Sequence, residues 1–216
     1  MFLRITPMKK LLKEAYKQNR LLIVHRKEEV FPEGYLISNR SNWIVWVEEG
    51  CMTKEFLAAL IELVGELPAA GEFYIDGKDG KITVEDNESL EGTDEVLFKN
   101  FIFPVMEGKY EPFNYTNLIL VQNTANARIL QSDTGETTLI NNFVTTLVNP
   151  NAIDDEIGEF DCVGPARINE THWMCWTSGK SIFAIGERTT DDFRPVEREL
   201  LELLKTIELN GGNDNE

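Results

Sequence analysis

The sequence predicts an α+β fold, built from mainly antiparallel sheet with helices packed on it, and two pseudo-repeated β-β-α units as a further expectation. Short apolar runs separated by turn residues are typical of antiparallel strands, and three longer segments show the spacing of amphipathic helices. Of the 216 residues, 42% are hydrophobic and 10% aromatic, which is enough to build a buried core. A chain of this length forms one large domain or two small ones.

The first predicted element is a basic amphipathic helix. Its apolar residues recur with the spacing of one helix face, namely Met8, Leu11, Leu12, Ala15 and Tyr16. The opposite face carries Lys9, Lys10, Lys13 and Lys17. These lysines form either a solvated face attracted to an otherwise acidic protein or a surface that contacts a membrane or RNA, and the solvated face is the commoner arrangement.

Strands and a second helix follow. Strand-like runs are predicted at residues 21–25, 34–38 and 42–47. The second helix is expected from Thr53, as its N-cap, to about Leu67, because Pro68 stops it. A hairpin with strands at 72–75 and 81–85 completes an α-β-β-β-α-β-β order.

The second half is predicted to be richer in strands. The run 97–105 is ambiguous between helix and strand, and a short helix is expected within 141–149. Clearer strands are predicted at 117–122, 127–131, 137–140, 173–176 and 181–185. A long helix from about Asp192 to Leu209 ends the ordered part. We therefore divide the chain into halves at 1–112 and 113–209, which form two units or one compact domain, and a disordered polar tail at 210–216.

All four tryptophans fall in two Trp-x-x-Trp pairs, at Trp43/Trp46 and Trp173/Trp176, which lie 130 residues apart. The same offset matches Gly34 with Gly164 and Asn39 with Asn169. An internal duplication explains these matches, and chance is the competing explanation. Because residues three apart on a strand point to opposite faces, each pair predicts a sheet covered on both sides. The alternative is an exposed aromatic platform that stacks on bases or sugars.

The charge is strongly asymmetric. The chain carries 21 Lys and Arg against 37 Asp and Glu, a net charge of −16. Residues 1–27 hold eight basic residues and one acid, so the other 189 residues carry −23. This layout argues against direct nucleic-acid binding and favours a protein partner with a basic surface. A sharper version is nucleic-acid mimicry of the kind used by phage-encoded inhibitors.

The cysteines and the N-terminal sequence predict a cytoplasmic protein. Cys51, Cys162 and Cys175 are odd in number and widely spaced, which does not suit a disulfide framework. The first residues lack the pattern of a signal peptide. No run approaches the roughly 18 apolar residues of a membrane-spanning helix.

The sequence has no nucleophile elbow, phosphate loop or dinucleotide fingerprint. The best metal candidate groups Cys162, His172 and Cys175, but a strand places the last two on opposite faces. Residues 75–86 resemble a calcium-binding loop at four positions and lack its first and third ligands. The sequence therefore predicts no catalytic, cofactor-binding or metal-binding residue, and no cofactor.

These observations favour a non-enzymatic acidic protein-binding module of phage or bacterial origin, such as an adaptor, chaperone, inhibitor or assembly component. The first alternative is a metal-dependent hydrolase or nuclease that uses carboxylates, which requires several acids to converge in a pocket. The second is an oligomeric structural subunit.

Overall fold

A computed structural model describes residues 2–26, 33–76, 82–86, 96–121, 126–149, 162–188, 194–207 and 209. The remaining positions include 77–81 within the segment that resembles a calcium-binding loop, Asp192 at the predicted start of the last helix, and the predicted tail at 210–216. The sequence-based expectations for those positions lie outside the described residues.

The described strands form one antiparallel sheet of eleven strands, which confirms an α+β fold with an antiparallel sheet. In spatial order the strands run β5-β4-β1-β2-β3-β11-β10-β9-β6-β7-β8. Their bounds are β1 Leu22–Arg26, β2 Gly34–Ser38, β3 Trp43–Glu48, β4 Glu72–Asp76, β5 Ile82–Asp86, β6 Tyr110–Leu120, β7 Ala127–Ser132, β8 Thr137–Asn141, β9 Val163–Ile168, β10 Trp173–Thr177 and β11 Ser181–Gly186.

The helices are short, and they precede, connect or follow these strands. They are α1 Ile5–Lys17, α2 Lys54–Val64, α3 Phe103–Met106, α4 Val144–Leu147 and α5 Pro195–Leu204, with a 3₁₀ turn at Glu49–Cys51 and a π-helical turn at Phe98–Ile102 leading into α3. The predicted cap of α2 is confirmed, because the Thr53 hydroxyl accepts a hydrogen bond from the Phe56 N–H at 3.3 Å. None of the described helices is long and apolar enough to cross a membrane.

Both faces of the sheet are covered, as the tryptophan pairs predicted. Trp43 and Trp176 lie in the core formed with α1, α2 and α4. Trp46 lies in the core on the other face, and half-buried Trp173 packs against that second core. The indoles are therefore part of the hydrophobic core, not an exposed stacking platform.

The ambiguous segment at 97–105 is helical. Its residues Phe98, Ile102 and Val105 are spaced by four and three, and all three are buried in the second core. The Phe98 ring meets the Trp46 indole edge-on, with centroids 5.1 Å apart. The helical period prevails because this segment covers one face of the sheet and does not extend it.

The proposed β-β-α repeat is not confirmed, but the two hairpins that contain the tryptophans share local geometry. Arg40 in the β2–β3 turn has φ 56°, and Glu170 in the β9–β10 turn has φ 60°. After the second hairpin, however, β11 intervenes before α5. Helix α5 then packs through Leu201 and Leu204 in a separate cluster with residues of β7 and β8.

The two halves of the chain share the one sheet. Strand β3 pairs with β11, the last of the described strands, with Val45 opposite Phe183. An isolated bridge also joins Leu3 to Val148. The sequence-based boundary between residues 112 and 113 falls inside β6, which pairs with both β9 and β7.

Candidate functional site

A buried histidine lies near the C-terminal end of strand β1. His25 is only 4% exposed, and its Nδ1 lies 3.1 Å from the carbonyl oxygen of Pro68. The His25 carbonyl oxygen in turn accepts a hydrogen bond from the Gly71 N–H at 2.9 Å. The segment that follows α2 therefore fixes both the backbone and the ring of His25.

Two carboxylates lie beside this ring. Glu33 comes just before β2 and Glu49 just after β3, and the Glu49 N–H donates to the Glu33 carbonyl oxygen at 2.9 Å. The His25 Nε2 is 3.4 Å from Oε1 of Glu33. One ligand atom from each of His25, Glu33 and Glu49 lies within 4.8 Å of the others. The Glu33 side chain is one-third exposed and Glu49 is exposed, so the cluster opens to solvent.

A tyrosine forms one wall of this cluster. Tyr35, the register partner of His25, stacks on the imidazole with ring centroids 4.1 Å apart and an interplanar angle of 21°. Burial, followed by the negative charges of Glu49 and Glu33, raises the pKa of the Tyr35 hydroxyl. The imidazole of His25 therefore has two carboxylates on its solvent-facing side and the ring of Tyr35 stacked against one face.

One imidazole and two carboxylates are a ligand set for a divalent metal ion. Within the described part of the chain, His25, Glu33 and Glu49 are the one group of three potential ligands that converges in this way. Sequence analysis did not single out these residues because their spacing matches no motif. The available signal was topological, since a meander brings the end of β1 beside the start of β2 and the end of β3.

The metal candidates taken from the sequence do not converge. His172 has a 92% exposed side chain, whereas Cys175 is buried in the second core and Cys162 packs against the first. Burial raises the pKa of both thiols to about 12, which keeps them protonated at neutral pH. No disulfide joins the three cysteines, and the buried Cys175 and half-buried Cys162 behave as small apolar residues.

A second feature is the outer face of α5. Leu201 and Leu204 on its inner face are buried. Its outer face and the turn after it expose a row of apolar side chains, namely Val196 at 62%, Leu200 at 41%, Leu203 at 62% and Ile207 at 52%. We call these four residues the α5 stripe.

Polar contacts fix both ends of α5. At the N-terminus, the Glu197 carboxylate accepts hydrogen bonds from the Arg194 backbone N–H at 2.9 Å and from its guanidinium at 2.7 Å. At the C-terminal end, the buried Gln131 amide donates to the carbonyl of Ile207 at 2.8 Å and accepts from the Leu209 N–H at 2.7 Å. The α5 stripe is therefore carried on an anchored helix.

The basic face of α1 borders a groove of about 750 Å³. The groove is lined by groups of both charge signs, including Lys10, Glu14, Glu187 and Arg188. Lys10, Lys13 and Lys17 are exposed, which both a solvated face and a contact surface require.

Comparisons with models of protein families, with curated proteins and with solved structures find no match to this chain.

Proposed function

We propose that the protein is a non-enzymatic acidic binding module, and that it takes a positively charged amphipathic helix of a partner protein on the α5 stripe. The observation that carries this proposal is the exposure of four large apolar side chains in one row, three on the anchored helix α5 and one on the turn that follows it. Contiguous apolar patches of this kind mark interaction surfaces, whereas scattered apolar residues do not.

The spacing of the α5 stripe favours a helical partner. Val196, Leu200, Leu203 and Ile207 are separated by four, three and four residues, which is the spacing of the apolar seam of a coiled coil. Such a seam packs against a matching seam on a second helix through interlocking side chains. The inner face of α5 is already occupied, so the stripe is the side that remains for a partner.

The charge of the whole chain selects the partner. The charges from Arg194 to Lys205 balance, with Arg194, Arg198 and Lys205 against Glu197, Glu199 and Glu202. The preference for a basic partner therefore comes from the net charge of −16, which attracts cations over a distance and speeds their association. Two copies of this chain repel each other through the same field.

Two further features fit this role. The three cysteines form no disulfide bond with one another, which supports a reducing compartment, and we propose the cytoplasm. The acidic field also disfavours direct contact with nucleic acid.

The test uses two synthetic helical peptides with identical leucine seams, one flanked by lysines and one by glutamates. Fluorescence anisotropy measures their binding to the full chain at low and high salt. We expect the lysine peptide to bind, with weaker binding at high salt. Leu203→Glu should weaken this binding by about tenfold or more, equal to about 1.4 kcal/mol.

The matched control is Ile61→Glu on α2, since Ile61 is also an exposed apolar helix residue, at 42%. This control should bind the lysine peptide as the wild type does. Equal loss in both variants, or no binding of either peptide, would contradict the proposal. So would a concentration-dependent dimer in sedimentation that Leu203→Glu abolishes, because a second copy would then occupy the stripe.

A further inference from the structure

We propose that His25, Glu33 and Glu49 form a binding site for a single divalent transition-metal ion, with Zn²⁺ as the best match. This site is independent of the α5 stripe and of the partner proposed for it. The argument rests on the protonation of the imidazole, the spacing of the ligand atoms and the chemistry of the ligand set.

The hydrogen bond to Pro68 fixes the tautomer of His25. A backbone carbonyl only accepts hydrogen bonds, so the Nδ1 that lies 3.1 Å from the Pro68 oxygen must carry the proton. The neutral ring then has its lone pair on Nε2. A carbonyl bond at one ring nitrogen is the usual support for a histidine whose other nitrogen binds a metal.

The Nε2 atom is buried and aimed at the carboxylates. Among the described residues it has no hydrogen-bond partner, although the Glu33 carboxylate oxygen is 3.4 Å away. A lone pair that faces a carboxylate is unfavourable unless a cation lies between them. Within the described part of the chain, neither Glu33 nor Glu49 forms an ion pair with a lysine or arginine that could supply this charge.

The distances suit a tetrahedral ion. Ligand atoms bound at about 2.1 Å to a tetrahedral metal lie about 3.4 Å from one another. The distance between Nε2 and the Glu33 oxygen is 3.4 Å, and the whole set lies within 4.8 Å. Because Glu49 is exposed, its side chain is free to close the remaining distance.

The donor atoms favour Zn²⁺ over Mg²⁺ and Ca²⁺. Imidazole nitrogen suits zinc and its neighbours, whereas Mg²⁺ and Ca²⁺ prefer sites made of oxygen alone. Three protein ligands leave a fourth position, on the solvent side, for water or for a group brought by another molecule.

The test titrates ZnCl₂ into the full chain after treatment with a chelator, by calorimetry and by NMR of the histidine side chains. The chain has only two histidines, so exposed His172 serves as an internal reference. We expect one tight Zn²⁺ per chain, a shift of the His25 Nε2 resonance without a matching shift for His172, and no competition from equimolar Mg²⁺ or Ca²⁺.

Glu33→Gln and Glu49→Gln keep the side-chain shape and should each weaken Zn²⁺ binding by at least about tenfold. The matched control is Glu62→Gln on α2, an exposed glutamate outside the cluster, which should bind Zn²⁺ normally. The proposal is overturned if Zn²⁺ leaves the His25 resonances unchanged, or if both cluster variants bind as tightly as the control. It is also overturned if His25 responds only to pH, because a proton then supplies the bridging charge.

Discussion

Gly34 lies directly beneath the indole of Trp46 on the neighbouring strand. A Cβ atom at Gly34 would be 2.8 Å from the six-membered ring of Trp46 and 2.5 Å from the carbonyl oxygen of Val47. In the second hairpin, a Cβ at Gly164 would lie 2.8 Å from Trp176. The two glycine–tryptophan pairs are 130 residues apart in the sequence, but the contacts differ, because Gly34 meets the six-membered ring of Trp46 whereas Gly164 meets Cδ1 and the backbone of Trp176.

Replacement of Gly34 by alanine should therefore destabilise the fold. The added methyl group overlaps backbone as well as the ring, and overpacking of this kind costs about 1–3 kcal/mol. Urea unfolding followed by tryptophan fluorescence measures the change in the free energy of unfolding. Gly50→Ala is the control, because a Cβ there meets nothing within 4 Å, and an equal loss in both variants would contradict the packing described.

The hydrogen bonds of the buried Gln131 amide should hold the C-terminal end of α5 in place. Gln131→Met removes its bonds to the Ile207 carbonyl and the Leu209 N–H, and the loss of buried hydrogen bonds costs about 1–3 kcal/mol. Hydrogen exchange should rise at residues 204–209 and stay unchanged in β1–β3. Gln131→Glu keeps the acceptor for the Leu209 N–H but loses the donor to the Ile207 carbonyl, so it should also raise exchange at this end. Unchanged exchange in both variants would show that the hydrogen bonds of Gln131 do not hold this end of the chain in place.

The fold should lose stability in alkali between about pH 9 and 12. Burial raises the pKa of the Cys162 and Cys175 thiols from 9.0 to about 12, and that of the Tyr115 hydroxyl from 10.0 to about 12. The folded chain thus keeps protons that the unfolded chain releases, so this stability is complete below about pH 9 and is lost as pH rises toward 12. Urea midpoints measured across this range should fall.

Mutation can test whether these groups cause the loss of folding stability at high pH. Tyr115→Phe combined with Cys162→Ala should give a shallower fall of the urea midpoint between pH 9 and 12 than the wild type shows. The comparison concerns the slope with pH, so a uniform loss of stability in the variant does not disturb it. Parallel curves for the variant and the wild type would rule out these groups as the cause.

The four tryptophans should not contribute equally to stability. Trp176 is fully buried, and its Nε1 donates to the Tyr115 hydroxyl at 3.2 Å. Trp173 is half-buried and contacts Phe101 at 4.3 Å between centroids. Trp176→Ala should cost about 3–5 kcal/mol, and Trp173→Ala clearly less, in urea unfolding. An equal or larger loss for Trp173→Ala would mean that its indole carries more of the second core than its exposure indicates.

Much of the fold could be predicted from local patterns, but the pairing and the site could not. The period of the apolar residues identified α1, α2 and the strand meander, and the spacing of Trp43 and Trp46 predicted a sheet covered on both faces. The run at 97–105 stayed ambiguous because so short a run, rich in apolar and aromatic residues, fits a strand or a helix equally well. The His25 cluster joins residues from three separate strand ends, and only the register of β1, β2 and β3 brings them together.

The pairing of β3 with β11 has a consequence for synthesis on the ribosome. Val45 is made early, whereas its partner Phe183 follows only when most of the chain has been translated. Until then β3 presents an open edge, and such edges recruit strands from other chains. The protein is thus most prone to aggregate while β11 is not yet synthesised. A chain that is truncated before β11 leaves the edge of β3 unpaired permanently.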